Sequence, residues 1–444
     1  MGARARAQRP GRRKLPRFPY ERHVLSAGIP VVLAYRPGAI RVSVALFIRV
    51  GSRFEALADN GLSHFLEHMI YRGNRLHETA HEQALAFERL GSSLYAATAT
   101  DHGVMTLSLP RETWAEGTRL LAEVVQRPRF SAIDVERRIV HEEILEGLDD
   151  DLRDVDPDNL VRALAFGGHP LGQPITGTLD HLAGFDVDRL RAHHRRHYTA
   201  ANFALSLAGP VRPAEALATL DHAFRGVRPG RRQVPPAAIP PRGDARPRFQ
   251  YVESDASQTD LRLLFRAPSE HDAREPAVEM LLRIIDDGMS TRLYERVCDL
   301  KGLCYAVSAG YETFSDDGAF DFAAETRHDR SVLVVQEILE LLHGLRDEGP
   351  SVAELDKARD RTVWSFSGML DSPDDLAAFH GLAELADITR TPADRIDELL
   401  SVTRDEVRAA TAQVFRGAGL SSVAVGLLPR ETERALRKIV RSFD

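Results

Sequence analysis

The sequence predicts an α+β protein of two structurally similar domains, each a mostly antiparallel sheet packed with helices. The chain has 444 residues, which exceeds what one hydrophobic core usually organises and suffices for two domains of about 200 residues each. A proline-rich stretch, residues 229–247, shows neither helical nor strand periodicity and divides the chain. Both sides of this stretch follow the same order of elements, which predicts an internal repeat.

Each side opens with strand-like segments, continues through amphipathic helices and closes on a hydrophobic strand. The predicted strands are residues 29–35, 42–50 and 202–211 on the first side and residues 249–254, 260–268 and 421–429 on the second. Strands followed by helix pairs, twice over, predict an N-terminal domain at residues 20–228 and a C-terminal domain at residues 248–444, joined by the linker 229–247.

The first 19 residues predict a disordered basic tail. Residues 1–17 hold seven Lys or Arg and no acid. A mitochondrial presequence stays open as the alternative, although Pro10 and Pro16 interrupt any amphipathic helix. No apolar core of a secretory signal follows. A cytoplasmic location of the bacterial type is therefore favoured, with the mitochondrial matrix as the alternative.

Charge and composition argue against nucleic-acid and membrane partners. Lys plus Arg is 58 and Asp plus Glu is 65, and the net charge of −7 gives no basic footprint for nucleic acid. No apolar run approaches the roughly 18 residues of a membrane helix. The only cysteines, Cys298 and Cys304, lack further Cys or His ligands nearby. We interpret them as buried small hydrophobic residues rather than as a second metal site or a redox pair.

The segment GLSHFLEHM, residues 61–69, carries the residues that predict metal chemistry. Ser63 is expected to cap a helix that begins near His64. Four residues apart on that helix, His64 and His68 leave the same face and can both reach one Zn²⁺. Glu67 lies beside them and can accept a proton from a water that the metal activates. This H-x-x-E-H order is the inverzincin pattern, although alone it is equally compatible with solvated or capping histidines.

A third ligand is available further along the chain. Catalytic zinc sites usually have three protein ligands and an open position. Residues 131–151 predict a long helix in which Glu136 and Glu143, two turns apart, share a face, whereas Glu142 lies about 100° away. Glu143 is therefore the candidate third ligand and Glu136 a supporting contact. A solvated acidic helix is the alternative interpretation.

The surroundings of these motifs resemble the pitrilysin, or insulinase-like, metallopeptidases, especially the branch similar to the mitochondrial processing peptidase. The resemblance rests on GSRFEALADNGLSHFLEHMIYRGN (51–74), HPLGQPITGTLDHL (169–182) and HYTAANFALSLAGPV (197–211). The spacing between His68 and Glu143, 143 − 68 = 75 residues, also fits the family. The resemblance covers nearly the whole chain from about Tyr20.

The resemblance implies a zinc-dependent endopeptidase that hydrolyses peptides or unfolded segments. It implies one Zn²⁺ per chain on His64, His68 and Glu143, with Glu67 as the catalytic base and Glu136 as the supporting glutamate.

The resemblance also implies that the peptide substrate binds extended, as an added strand on a sheet edge. Residues 92–105 occupy the position of that edge, and an ordinary half-buried strand is the alternative. This chain has Tyr95 where the family usually has Asn. The implied substrate-binding residues are Tyr95, Ala96, Ala97 and Thr98.

The C-terminal half departs from the family pattern. In the family an Arg and, seven residues later, a Tyr help to hold the substrate and polarise the scissile carbonyl. Tyr305 matches and is the second candidate catalytic residue, but Cys298 occupies the position of the arginine. A thiol cannot replace a guanidinium, and the loss could cost on the order of 10²–10³ in rate. Three explanations stay open. The enzyme is slow, Arg292 or Arg296 takes the place of the missing arginine, or another chain supplies both the Arg and the Tyr.

The third explanation predicts a dimer. Some members of this branch are heterodimers in which one subunit keeps the zinc motif and the other keeps the Arg and Tyr. We expect a heterodimer in preference to a homodimer, with this chain as the zinc subunit. The alternative function is a non-catalytic structural or interaction subunit, against which the intact zinc residues argue.

Overall fold

The computed structural model describes residues 19–239 and 246–444. It contains a six-stranded and a five-stranded sheet, both packed with helices, so the predicted α+β class is confirmed. All of the predicted tail except Pro19, and residues 240–245 of the predicted linker, lie outside the described residues. Residues 229–239 contain no helix or strand. No helix of the described residues is long and apolar enough to cross a membrane.

The N-terminal half forms the six-stranded sheet in the order β1-β2-β6-β3-β5-β4. Its strands are β1 (Tyr20–Val24), β2 (Pro30–Tyr35), β3 (Arg41–Ile48), β4 (Tyr95–Thr98), β5 (Gly103–Pro110) and β6 (Phe203–Gly209). Its helices are α1 (Leu62–Ile70), α2 (Ala80–Arg89), α3 (Trp114–Gln126), α4 (Ile133–Leu145), α5 (Pro157–Phe166), α6 (Leu179–Ala183), α7 (Val187–His197) and α8 (Pro213–Phe224).

The C-terminal half forms the five-stranded sheet in the order β7-β11-β8-β10-β9. Its strands are β7 (Arg248–Glu253), β8 (Thr259–Ala267), β9 (Cys304–Thr313), β10 (Gly318–Thr326) and β11 (Leu420–Gly426). Its helices are α9 (Glu275–Ile285), α10 (Arg292–Tyr294), α11 (Ser331–Glu348), α12 (Val352–Asp371), α13 (Pro373–Leu385), α14 (Pro392–Ser401), α15 (Arg404–Val414) and α16 (Arg430–Arg441).

The two sheets share one topology, which confirms the predicted similarity of the halves. Without β1, the first sheet runs β2-β6-β3-β5-β4, and the second runs β7-β11-β8-β10-β9. In each, the last strand of the half forms the parallel pair of the sheet, β6 with β2 and β11 with β7. The other described pairings are antiparallel.

Strand β3 shows why its sequence is almost continuously apolar. Val44 and Leu46 belong to the core formed with the N-terminal helices, whereas Ala45 and Phe47 pack on the other face against residues of α13. Because successive side chains of a strand point to opposite faces, a sheet covered on both sides needs apolar residues at every position.

One helix of each half also packs on the sheet of the other half. Helix α13 packs on β2, β3 and β6, and helix α5 packs on β8 and β11. Apolar residues of α5, such as Val161 and Phe166, share a buried cluster with Leu264 and Val423 of the second sheet. The halves therefore share hydrophobic cores across the boundary that the sequence predicts between residues 228 and 248.

Candidate metal centre

Helix α1 is anchored at its start by a carboxylate from the preceding loop. The helix begins at Leu62 with Gly61 as N-cap, so the prediction that Ser63 caps it is wrong. Glu55 takes that role: its carboxylate accepts hydrogen bonds from the N–H of Gly61 at 2.8 Å and the N–H of Ser63 at 2.6 Å. A negative charge at the free N–H groups of a helix start is favourable. Burial raises the pKa of Glu55, against the hydrogen bonds that it accepts.

The hydroxyl of Ser63 connects α1 to other parts of the first half. Its Oγ accepts a hydrogen bond from the N–H of Gly51 at 3.3 Å and lies 3.0 Å from Nε2 of His193 on α7. Burial lowers the pKa of His193 well below its usual value. Sequence reasoning missed both Glu55 and His193 as supports of α1, although Glu55 belongs to the quoted G-S-R-x-E segment.

The three candidate ligands meet at one point. Nε2 of His64 and Nε2 of His68 are 3.3 Å apart, and each lies 3.4 Å from a carboxylate oxygen of Glu143. Among the described residues, these three form the one group of His, Cys, Asp or Glu side chains with ligand atoms all within 4.8 Å of one another.

This spacing fits zinc. In a tetrahedron with metal–ligand distances of about 2.0–2.1 Å, neighbouring ligand atoms lie about 3.3–3.4 Å apart. The two imidazole nitrogens have this separation, and the Glu143 carboxylate lies against both of them, with Oε1 nearest to His64 and Oε2 nearest to His68. Two His and one Glu are also a donor set of catalytic zinc sites, which leaves the fourth corner open.

Glu143 reaches this point from α4, which is shorter than the predicted helix of residues 131–151. The helix ends at Leu145, and the N–H groups of Gly147 and Leu148 turn back to the carbonyls of Ile144 and Leu145. The predicted face is nevertheless present, because Glu136 and Glu143 both lie within the helical part.

Glu136 contacts the ring nitrogen of His68 that does not face the other candidate ligands. Its Oε1 accepts a hydrogen bond from Nδ1 of His68 at 2.9 Å, and its Oε2 pairs with Nε of Arg72. A proton held on Nδ1 leaves Nε2 of His68 free to face the ligand group, as is usual for metal-binding histidines. In the part of the chain that the structure describes, Nδ1 of His64 has no such partner.

The electrostatic interactions among the three candidate ligands and Glu136 stabilise positive charge at this point. Burial alone would lower the pKa of His68, but its hydrogen bonds to Glu136 and Glu143 outweigh burial and raise the pKa to about 9. The two imidazoles hold the pKa of Glu143 well below its usual range through hydrogen bonds.

Glu67 directly precedes His68 on α1, and its carboxylate contacts the edge of the sheet. Its Oε2 accepts a hydrogen bond from the hydroxyl of Thr98 at 2.8 Å. Thr98 ends β4, which pairs with β5 and with no other strand among the described residues. A carboxylate on α1 is thereby joined directly to the strand that the sequence predicts to bind substrate.

The outer side of β4 is accessible. Tyr95 is 60% exposed and Ala96 is buried, while Ala97 and Thr98 are half-buried. An edge strand with free backbone groups is a template for a further extended segment.

Tyr305 lies in the second sheet, apart from this group. It is 98% exposed at the start of the edge strand β9, and in the described residues no hydrogen bond joins it to the three ligands. Arg292 forms a two-point ion pair with Glu354, and Arg296 pairs with glutamates of α11. Both arginines that sequence analysis considered as substitutes are thus engaged within the C-terminal half.

Cys298 and Cys304 are neighbours in space. Their Sγ atoms lie 3.8 Å apart, and both residues are half-buried, free thiols against the core of the C-terminal half. Burial raises the pKa of Cys304 to about 12, which keeps this thiol protonated at neutral pH. Neither side chain offers a charge that could replace the missing guanidinium.

Two family models match the chain, one on each half. Residues 30–179 match insulinase (peptidase family M16), and residues 184–362 match the peptidase M16 inactive domain. An uncharacterized zinc protease of Mycobacterium leprae is 32% identical over 337 residues, which are 75% of each chain. The chain belongs to the insulinase family of peptidases, M16.

Other similar proteins extend the match over nearly the whole chain. An uncharacterized zinc protease of Bacillus subtilis is 27% identical over 402 residues, 89% of this chain and 95% of the relative. A protease structure from Helicobacter pylori has a TM-score of 0.86 at 19% identity and covers 92% of this chain and 99% of that chain. A peptidase M16 inactive domain from Pseudomonas fluorescens has a TM-score of 0.84 at 20% identity, with 93% and 98% covered. The structural likeness shows the fold, and the family confirms the resemblance found in the sequence.

Proposed function

We propose that the chain is a zinc-dependent endopeptidase with one Zn²⁺ held by His64, His68 and Glu143. The observation that carries the proposal is the convergence of these side chains: the two Nε2 atoms lie 3.3 Å apart, and each lies 3.4 Å from one of the two carboxylate oxygens of Glu143. Relatives named zinc proteases support the choice of metal.

The residues divide the chemistry between them. Bound zinc would supply Lewis-acid chemistry, in which the pKa of a water falls and the scissile carbonyl is polarised. The Glu67 carboxylate is the base that takes the proton of the attacking water and delivers it to the leaving amine. Thr98 orients Glu67 through the hydrogen bond to Oε2.

The substrate is an extended peptide or an unfolded segment. Its backbone would add to the free side of β4, where strand pairing selects extended chains rather than one side chain. The exposed ring of Tyr95 at the start of β4 is available to contact a substrate side chain.

We propose further that the chain acts in a dimer, preferably with a homologous subunit that carries the Arg–Tyr pair. The support is that Cys298 stands seven residues before Tyr305, at the position where the family pattern has the arginine. Arg292 and Arg296 are held in ion pairs with glutamates of α11 and α12.

Replacement of Glu67 tests the proposal. The Glu67→Gln chain is expected to bind zinc like the wild type and to lose cleavage of a quenched peptide, because an amide cannot accept the proton. Glu142→Gln is the matched control. Glu142 directly precedes Glu143 on α4, but its side chain is 78% exposed. Wild-type turnover by Glu67→Gln would refute the role of the base.

A non-catalytic role makes a different prediction. A scaffold subunit would cleave no peptide in any combination of subunits, and its fold would not depend on stoichiometric zinc. Zinc content per chain and cleavage, measured on the same preparation, separate the two functions.

A further inference from the structure

A short stretch in the loop between β3 and α1, residues 51–55, contacts both α1, the helix that carries His64 and His68, and the C-terminal half. We call these five residues the bridging segment. Its last residue, Glu55, holds the first N–H groups of α1. The N–H of Arg53 donates to the carbonyl of Thr100 at 2.8 Å, in the turn that follows β4.

The side chain of Arg53 extends from the N-terminal half into the C-terminal half. It is fully buried. Its guanidinium forms an ion pair with Asp316 and donates a hydrogen bond to Oγ of Ser315 at 3.3 Å. It also lies 5.9 Å from the centre of the Phe314 ring. It also donates to the carbonyl of Pro236 in the linker at 3.2 Å. Residues 314–317 form the turn between β9 and β10, so Arg53 is seated in the hairpin of the second sheet.

A buried guanidinium makes the bridging segment depend on that hairpin. Removal of a charge from water is costly, and only good partners offset the cost. The charged partner of Arg53 comes from the C-terminal half, where Asp316 is fixed in turn by the N–H of Ala238 at 2.8 Å. Without the hairpin, Arg53 would leave its site, and the backbone that carries it would move.

A shift of this backbone would displace the start of α1 and with it the candidate ligands His64 and His68. Gly51 has φ 133°, and a Cβ there would lie 2.4 Å from the carbonyl oxygen of Ala99, so the segment fits tightly against the turn after β4. Two residues after Arg53, Glu55 fixes the start of α1. The candidate ligands His64 and His68 lie on α1.

We propose that Arg53 is a positioning residue through which the C-terminal half fixes the start of the zinc helix. The domain that the family model names inactive would thus help, through Arg53, to form the metal site. The inference rests on the proposed function for the identity of the metal, but not on peptide cleavage.

The test compares two buried arginines in the full-length chain. Arg53→Met removes the bridge. Arg395→Met is the matched control, because Arg395 is also buried and ion-paired, with Glu275 and Glu279, but these contacts lie within the C-terminal half. The readouts are zinc affinity by chelator competition and hydrogen exchange of residues 62–70 in the zinc-free chain.

Arg53→Met is expected to weaken zinc binding by about tenfold or more, the effect of losing an outer support of a metal site. It is also expected to speed exchange in α1. Arg395→Met is expected to lower the melting temperature and leave both readouts near the wild-type values. Wild-type zinc affinity and exchange in Arg53→Met, or equal losses in both variants, would overturn the proposal.

A milder variant decides the question if Arg53→Met does not fold. Asp316→Asn removes only the charge of the partner, from a side chain that is 36% exposed, and is expected to change both readouts in the same direction. Asp316→Glu should restore them in part. A wild-type chain that binds zinc but cleaves no peptide would contradict the peptidase proposal alone, because neither readout here requires cleavage.

Discussion

Replacement of Glu136 by glutamine removes the support behind His68 without removing a ligand. The Glu136 side chain is 7% exposed, accepts a hydrogen bond from Nδ1 of His68 at 2.9 Å and pairs with Arg72. Glutamine has the same size but one acceptor oxygen and one NH₂ group. Both of its neighbours are donors, so one of the two contacts must be lost, and the charge is lost as well.

The expected effect is a 10- to 100-fold weaker zinc affinity, because outer partners of metal-bound histidines contribute about that much. This range corresponds to about 1.4–2.7 kcal/mol, which agrees with the roughly 1.5–3 kcal/mol of a hydrogen bond to a charged group. At saturating zinc, cleavage should fall by less than about tenfold, since the ligands and Glu67 are intact.

Competition with a chromogenic chelator measures the affinity, with Glu142→Gln as the control on the same helix. An unchanged affinity would refute the supporting role of Glu136. A loss as complete as that of His68→Gln would also refute it, because Glu136 would then be a ligand itself.

Three further substitutions test other parts of the structure. Thr98→Val should lower kcat by about tenfold with zinc content unchanged, since it removes one hydrogen bond to Glu67; an unchanged kcat would show that this contact does not orient the base. Burial, together with the nearby carboxylate of Asp101, raises the pKa of Glu270 from 4.5 to about 7, so stability falls as pH rises through that window. Glu270→Gln should therefore stabilise the chain by at most about 3 kcal/mol at pH 8, at about 1.4 kcal/mol per pH unit, and not at pH 4; equal effects in urea unfolding at both pH values would contradict this. Cys298→Arg should raise kcat/KM of the chain alone by about tenfold or more if the missing guanidinium limits it, and no gain would point to a different cause.

The sequence was most informative where structure depends on local periodicity. Helical spacing placed His64 with His68, and Glu136 with Glu143, on common faces, and the structure shows both pairs on single helices. The predicted strands also correspond to β2, β3 and β6 of the first half and to β7, β8 and β11 of the second, whereas β1 was not predicted.

Contacts between distant segments could not be read from the same patterns. The Ser63 prediction failed because the acceptor at the start of α1 comes from Glu55, in a separate loop. The hydrogen bond from Thr98 to Glu67 and the burial of Arg53 in the second half likewise depend on tertiary structure. The exchanged helices α5 and α13 depend on the packing of both halves, which no local pattern encodes. The dimer, the partner subunit and the location of the protein stay predictions.

Peptide cleavage by the purified chain tests the central claim most directly. The rate on a quenched peptide is measured with and without a homologous subunit that carries the Arg–Tyr pair, and zinc content and oligomeric mass are read from the same sample. We predict one zinc per chain and cleavage, alone or with the partner, that chelation and Glu67→Gln both abolish. A zinc-loaded chain that cleaves nothing in either mixture, or cleavage that survives Glu67→Gln, would contradict the assignment of a zinc peptidase.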